Sequence, residues 1–175
     1  MRKSIIAILM TFCLSIMTYA QTPRDRATEL KEQAQSSLNQ KDYIKARYLF
    51  KKAYEAFATR ENYPQAIECG VQANALYVRE NFYKEGFELC RDMDQLIWAG
   101  EQNQKKVFYD LRFLVNKERL QMYTALKNPA QAKTQLNKLE ETANLAKNDS
   151  LTEVLLYTKA NYYYTFCLLY TSDAA

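Results

Sequence analysis

The 175-residue chain carries 24 Lys and Arg against 20 Asp and Glu, a formal net charge of +4, and it contains no His and only three Gly. Lacking imidazole and glycine clusters, it offers no His-based acid–base chemistry, no His metal site and no glycine-rich phosphate loop. Its charges are interspersed in sign, as in "KKAYEAFATREN" and "NKLEETANLAKND", a pattern of solvated helix faces without the basic stripe of a nucleic-acid-binding protein. The expectation is a protein with no catalytic residues, no cofactor, no metal and no nucleic-acid partner.

The chain opens with "MRKSIIAILMTFCLSIMTYAQ", in which Arg2 and Lys3 precede an apolar run from Ile5 to Met17 and the stretch Thr18-Tyr19-Ala20. That layout predicts a secretory signal peptide over residues 1–20, cut before Gln21, and therefore export, with the periplasm as the expected compartment. The run is interrupted by Thr11 and Ser15 and is shorter than the roughly 20 apolar residues needed to cross a bilayer, so a membrane anchor is the poorer reading. Cys13 does not sit in the small-residue box of a bacterial lipoprotein. Cleavage would remove Arg2 and Lys3 and leave 22 − 20 = +2. Of the remaining cysteines, Cys69, Cys90 and Cys167, none forms a C-x-x-C pair. Cys69 and Cys90 lie in helical, mostly apolar surroundings and are expected to be buried, reduced thiols even after export.

Beyond Thr22 the apolar residues recur at helical spacing: Ala27, Leu30, Ala34, Leu38, then Tyr43, Ala46, Phe50, Ala53, Phe57. The fold class is all-α, with helices predicted near 23–40, 42–60, 63–80, 83–99, 102–127, 129–147 and 151–169. Start signals are "TPRD" (Thr22, Pro23, Asp25), "NPAQ" (Asn128, Pro129, Gln131) and the capping box of Ser150 and Glu153. Glu140 and Glu141 occupy adjacent positions of one helix and diverge, so they make no paired-carboxylate site.

Overlaying the second, fourth and sixth helices aligns "DYIKARYLFKKA", "FYKEGFELCRDM" and "PAQAKTQLNKLE". A small residue (Ala46, Gly86, Ala132) is followed four later by Phe50, Cys90 or Leu136, and three later again by Ala53, Met93 or Leu139. The small residue admits a neighbouring helix and the larger pair fills the space beside it. Tyr77 and Tyr123 precede the small position by nine residues, and Tyr163 holds the corresponding place in the seventh helix. In the second unit either Ala73 or Asn74 could take the small position of the first helix.

On these residues, over about Thr22 to Phe166, the chain resembles the tetratricopeptide repeat (TPR) proteins, whose units are stacked helix–turn–helix pairs. The first unit matches best, through Leu30, Ala34, Asp42-Tyr43, Ala46, Phe50, Lys52 and Ala53. The small positions lie 86 − 46 = 40 and 132 − 86 = 46 residues apart, longer than the ~34 of the family. The resemblance implies a right-handed superhelix of antiparallel helix pairs, about three and a half repeats. It also implies a concave groove lined by the first helix of each unit, here Lys31, Gln35, Asn39, Val71, Arg79, Lys117, Gln121, Tyr157, Asn161 and Tyr164. Gln35, Gln121 and Asn161 recur at one groove position, with Asn74 one residue out of register. A row of amides both donates and accepts, and so suits the backbone of an extended peptide. The family's carboxylate clamp is not expected, because Leu114 and Glu118 stand where cationic residues are required.

The last predicted helix, "SLTEVLLYTKANYYYTF", has the layout of the first helix of a fourth unit, with Tyr163 placed for the core. It runs into "CLLYTSDAA", which resembles the translation of a transposon-end adapter used in sequencing libraries. Residues 167–175 are accordingly read as a non-native tail, and residues 21–166 as the truncated repeat domain of a longer protein. The expected function is a protein- or peptide-binding scaffold, resembling the exported sensory or interaction region of a membrane-anchored bacterial regulator. The alternative is a free soluble cell-envelope assembly factor without an output domain.

Overall fold

A computed structural model describes the backbone of residues 25–172 and the side chains of residues 25–166. The signal-peptide reading over 1–20, the Thr22-Pro23 start signal, and the side chains of the 167–175 tail lie outside the described residues. Within them the chain is all-helical and has no strand. The helices are α1 (Arg26–Asn39), α2 (Tyr43–Ala58), α3 (Tyr63–Arg79), α4 (Tyr83–Gln104), α5 (Tyr109–Ala125), α6 (Pro129–Ala146) and α7 (Asp149–Ser172). Each helix packs on the next, and α3 also touches α5, as α5 touches α7.

Four of the connections share one turn. Lys41, Glu61, Asn81 and Lys127 adopt the left-handed conformation, with φ of 62°, 57°, 61° and 52°. Each donates its backbone N–H to the carbonyl three residues back: Leu38, Ala58, Val78 and Thr124. The next residue reaches five back, so that Asp42, Asn62, Phe82 and Asn128 donate to Ser37, Phe57, Tyr77 and Tyr123 at 2.9 to 3.0 Å. This is the Schellman closure, which satisfies carbonyls that a helix end would otherwise leave open. The residue that closes one helix then opens the next: the side chains of Asp42, Asn62 and Asn128 accept from the N–H groups of Lys45, Gln65 and Gln131. Phe82 has no side-chain acceptor, and α4 begins without that bond.

Four residues beyond each turn the chain places Ala46, Ala66, Gly86 and Ala132, all buried. Helices joined by so short a link are in close contact there, and only a small residue fits between them. At Gly86 an added Cβ would lie 2.7 Å from Met122 Sδ and 3.0 Å from Asn74 Oδ1. Positions 41–50 and 81–90 share one order of exposed, half-buried and buried sites, and 127–136 departs from it only at Lys133. The internal repeat of the sequence is therefore a repeat of packing, and Ala66 shows that it recurs at the second turn as well.

Two apolar clusters form. One runs from Ala27 through Phe50, Ile67 and Met93 to Leu111, Val115 and Met122; the other joins Phe113 and Leu120 to Leu136, Leu139, Leu155, Tyr162 and Phe166. Helix α5 serves both, with Leu111, Val115 and Met122 turned one way and Phe113 and Leu120 the other. Cys69 and Cys90 are buried free thiols in the first cluster, and burial pushes them up to about 11 and about 12 respectively.

Three expectations are corrected. The break near Gly100 is absent: α4 continues to Gln104 and ends at left-handed Lys105, so residues 102–104 belong to α4. Gly100 is where α4 meets Tyr63 and Phe108, whose rings would stand 2.9 Å from an added Cβ. The start of α7 is capped by Asn148, whose side chain accepts from Ser150 N–H at 3.0 Å, and not by Ser150. Tyr163 is 47 % exposed while Tyr162 is 8 % exposed, because Leu155, Tyr162 and Phe166 share the helical stripe facing the cluster. Leu156, Tyr157 and Tyr164 on the same helix are exposed.

Ala46 is fully buried and has no room to grow. Replacing it with Leu should cost about 1–3 kcal/mol in urea unfolding, whereas the same change at exposed Lys45 should stay within about 0.5 kcal/mol; equal effects would contradict the packing described.

Candidate functional site

Where α5 and α7 lie side by side they enclose a cleft of about 300 Å³. Its α5 wall is Lys117, Leu120, Gln121, Thr124 and Ala125, and its α7 wall is Tyr157, Thr158, Asn161, Tyr162 and Thr165. Both walls advance by three or four residues per step, as one face of a helix does. Buried Leu120 and Tyr162 belong to the second apolar cluster and anchor the walls to it. The hydroxyls of Thr124, Thr158 and Thr165 donate back to the carbonyls of Leu120, Val154 and Asn161 at 2.7 to 2.8 Å. They present little free polarity. The side-chain amides of Gln121 and Asn161 make no hydrogen bond within the described residues. Among the described residues, Lys117 is the one charged residue lining the cleft. Outside it, α7 is held to α6 by the ion pair of Lys159 with Glu140 at 2.8 Å, which holds the Glu140 carboxyl below its ordinary range through that hydrogen bond and charge.

Of the predicted groove residues, this cleft unites Lys117, Gln121, Tyr157 and Asn161. The others lie elsewhere and are engaged differently. Lys31 Nζ donates to Gln65 Oε1 at 2.9 Å and pairs with Glu68 at 2.8 Å, bridging α1 to α3. Gln35 donates to Asn39 Oδ1 on its own helix at 3.2 Å. Arg79 stacks over the Tyr43 ring, 3.9 Å from its centroid. Val71 is half-buried against the first cluster, and Tyr164 is exposed on α7 but does not line the cleft. Asn74 is no member of the amide row: it is buried, and its Nδ2 donates to Glu118 Oε2 at 3.0 Å. Counting back from the shared turns, Ala75 occupies the row and Asn74 occupies the buried place of Ala34 and Leu120, which decides the register left open by the sequence.

A second groove, of about 420 Å³, was not foreseen from the sequence. It opens between α4 and α6 over α5, with Trp98 and Leu145 exposed on opposite lips. Its cations are largely spent within the fold. Arg119 donates to the Cys90 carbonyl at 2.9 Å and pairs with Asp94. Arg112 Nε donates to Glu101 Oε1 at 2.7 Å, and its Nη2 pairs with the other carboxylate oxygen. Glu101 also accepts the Phe108 N–H at 2.8 Å, so this carboxylate ties the end of α4 to the start of α5. Burial opposes the charge on Glu101, but the bond and charge of Arg112 and the Phe108 N–H together outweigh it and keep the carboxyl below its ordinary range.

Among the described residues no group of three or more His, Cys, Asp or Glu is placed to hold a metal, and no helix is long and apolar enough to cross a membrane. No family model, curated protein or solved structure matches the chain.

A carboxyl held low in the folded state stabilises the fold above its unfolded titration range, and that contribution is lost as pH falls through the folded value. Glu101→Gln should therefore lower stability at neutral pH by about 1–3 kcal/mol and flatten the acid side of the stability–pH curve. Unfolding the wild type and variant at neutral and acidic pH checks this; a constant difference across the range would show that Glu101 is not held low.

Proposed function

We propose that this chain is a TPR-like scaffold that binds an extended segment of another protein in the α5–α7 cleft. The observation that carries the reading is the pair of unengaged amides, Gln121 and Asn161, beside the apolar floor of Leu120 and Tyr162. Every amide donates and accepts, so a backbone laid between two of them can be held whatever its side chains. An apolar floor with a few fixed polar groups is the usual composition of a binding site. The repeated turn, the small residue four positions after it, and the recurring burial order support the TPR-like assignment.

The signal-like N terminus supports a periplasmic setting for this binding function, and the resemblance to exported regions of membrane-anchored regulators favours the interaction region of a larger signalling protein. Random extended peptides displayed on phage and selected on the wild-type protein should yield binders. Replacing both Gln121 and Asn161 with Leu should weaken those binders about 10–30-fold, the equivalent of two lost hydrogen bonds. Binders unaffected by the double substitution would place the binding surface elsewhere, and no enrichment at all would count against a peptide scaffold.

A further inference from the structure

Glu118, in the middle of α5, is 3 % exposed, and its partner Asn74, on α3, is 0 % exposed. Asn74 Nδ2 donates to one carboxyl oxygen of Glu118 at 3.0 Å, while Asn74 Oδ1 is buried with no donor. A buried acceptor without a donor is costly. A buried carboxylate without a cation is more so. No ion pair reaches Glu118 among the described residues. From α3 the polar group facing it is the neutral Asn74 amide. From α4 the Cys90 thiol, held neutral by burial, lies within electrostatic reach of it. On α5 itself Lys117 lines the cleft, and Arg119 is committed to the Cys90 carbonyl and Asp94. From α4, Gly86 closes the space beside Asn74.

We infer that Glu118 is held as the neutral acid, its O–H supplying the donor that Asn74 Oδ1 lacks, and that its ionisation loosens α5 from α3 and α4. An acid and an amide can exchange two hydrogen bonds in a closed pair, which satisfies both buried groups at once. Removing the proton takes away one of these bonds and leaves a negative charge in the apolar interior. Burial raises the Glu118 carboxyl above its ordinary value, and this outweighs the opposing Asn74 hydrogen bond and Lys117 charge. A group raised in the folded state contributes stability that is full below its unfolded titration range and is lost as pH rises through the folded value. Because α5 joins the two apolar clusters and carries Lys117 and Gln121, the device would make the joint between them, and the placement of the cleft, dependent on proton concentration.

The test follows the Glu118 carboxyl by carbon-13 NMR in the whole chain, together with amide hydrogen exchange across Tyr109–Ala125, using α2 as internal reference. Glu118 should titrate above the other glutamates. Between about pH 5 and about pH 8, after correction for intrinsic exchange, α5 protection relative to α2 should fall about tenfold or more in the wild type and stay level in Glu118→Gln. Where that variant does not fold, the paired change Asn74→Ala with Glu118→Leu removes both polar groups together and serves the same comparison. Titration of Glu118 with the surface glutamates would overturn the proposal. So would level α5 protection in the wild type, or an equal fall in the variant.

Discussion

The left-handed residue that closes one helix and delivers the cap of the next is the constraint from which the architecture follows. It leaves two or three residues, the last of them left-handed, between a helix and the cap of its successor, so neighbouring helices turn back on each other at close range. Close range demands a small side chain at the first point of contact, and Ala46, Ala66, Gly86 and Ala132 supply it. The residues four places further on, Phe50, Cys90 and Leu136, are buried each time. Repetition of the turn thus becomes repetition of the core.

Helix α5 is where this regular scheme carries most weight. A helix in a stack must satisfy the unit before it and the partner after it, and α5 does so with two apolar stripes instead of one. Its polar residues are correspondingly specialised: Arg112 is drawn to Glu101, Arg119 to Asp94 and the Cys90 carbonyl, and Glu118 to Asn74. Lys117 and Gln121 are left to face the cleft. Two buried or half-buried carboxyls act in opposite senses on this helix, Glu101 favouring the charged form and Glu118 the neutral one.

Much of the fold was legible because helical periodicity, caps and small residues are local signals. Asn128-Pro129 and the alignment of Ala46, Gly86 and Ala132 needed no tertiary information. Legibility failed where a residue's meaning depends on what stands opposite. Gly100 reads as a helix stop in isolation, whereas in the fold it is the gap that accepts Tyr63 and Phe108. Tyr163 and Tyr162 differ by one position, and only the orientation of α7 against α5 and α6 decides which is buried. Four of the ten lining residues could be named in advance because the cleft walls step along helix faces; Leu120, Thr124 and Thr165 are one turn from residues already singled out. The amide at Asn74 misled because a polar residue on a helix is ordinarily solvated, and its partner Glu118 lies 44 residues away.

The central claim is the shared turn, and glycine scanning of the connections tests it most directly. A side chain in the left-handed conformation costs about 1–2 kcal/mol that glycine avoids, partly offset by the greater freedom of glycine in the unfolded chain. Lys41→Gly, Glu61→Gly and Lys127→Gly should therefore each raise stability by about 0.5–1 kcal/mol in urea unfolding. Gln40→Gly, one residue earlier and in the right-handed conformation, should lower it by a similar amount. Loss of stability at positions 41, 61 and 127 as large as that at 40 would contradict the turn, and with it the packing repeat built on it.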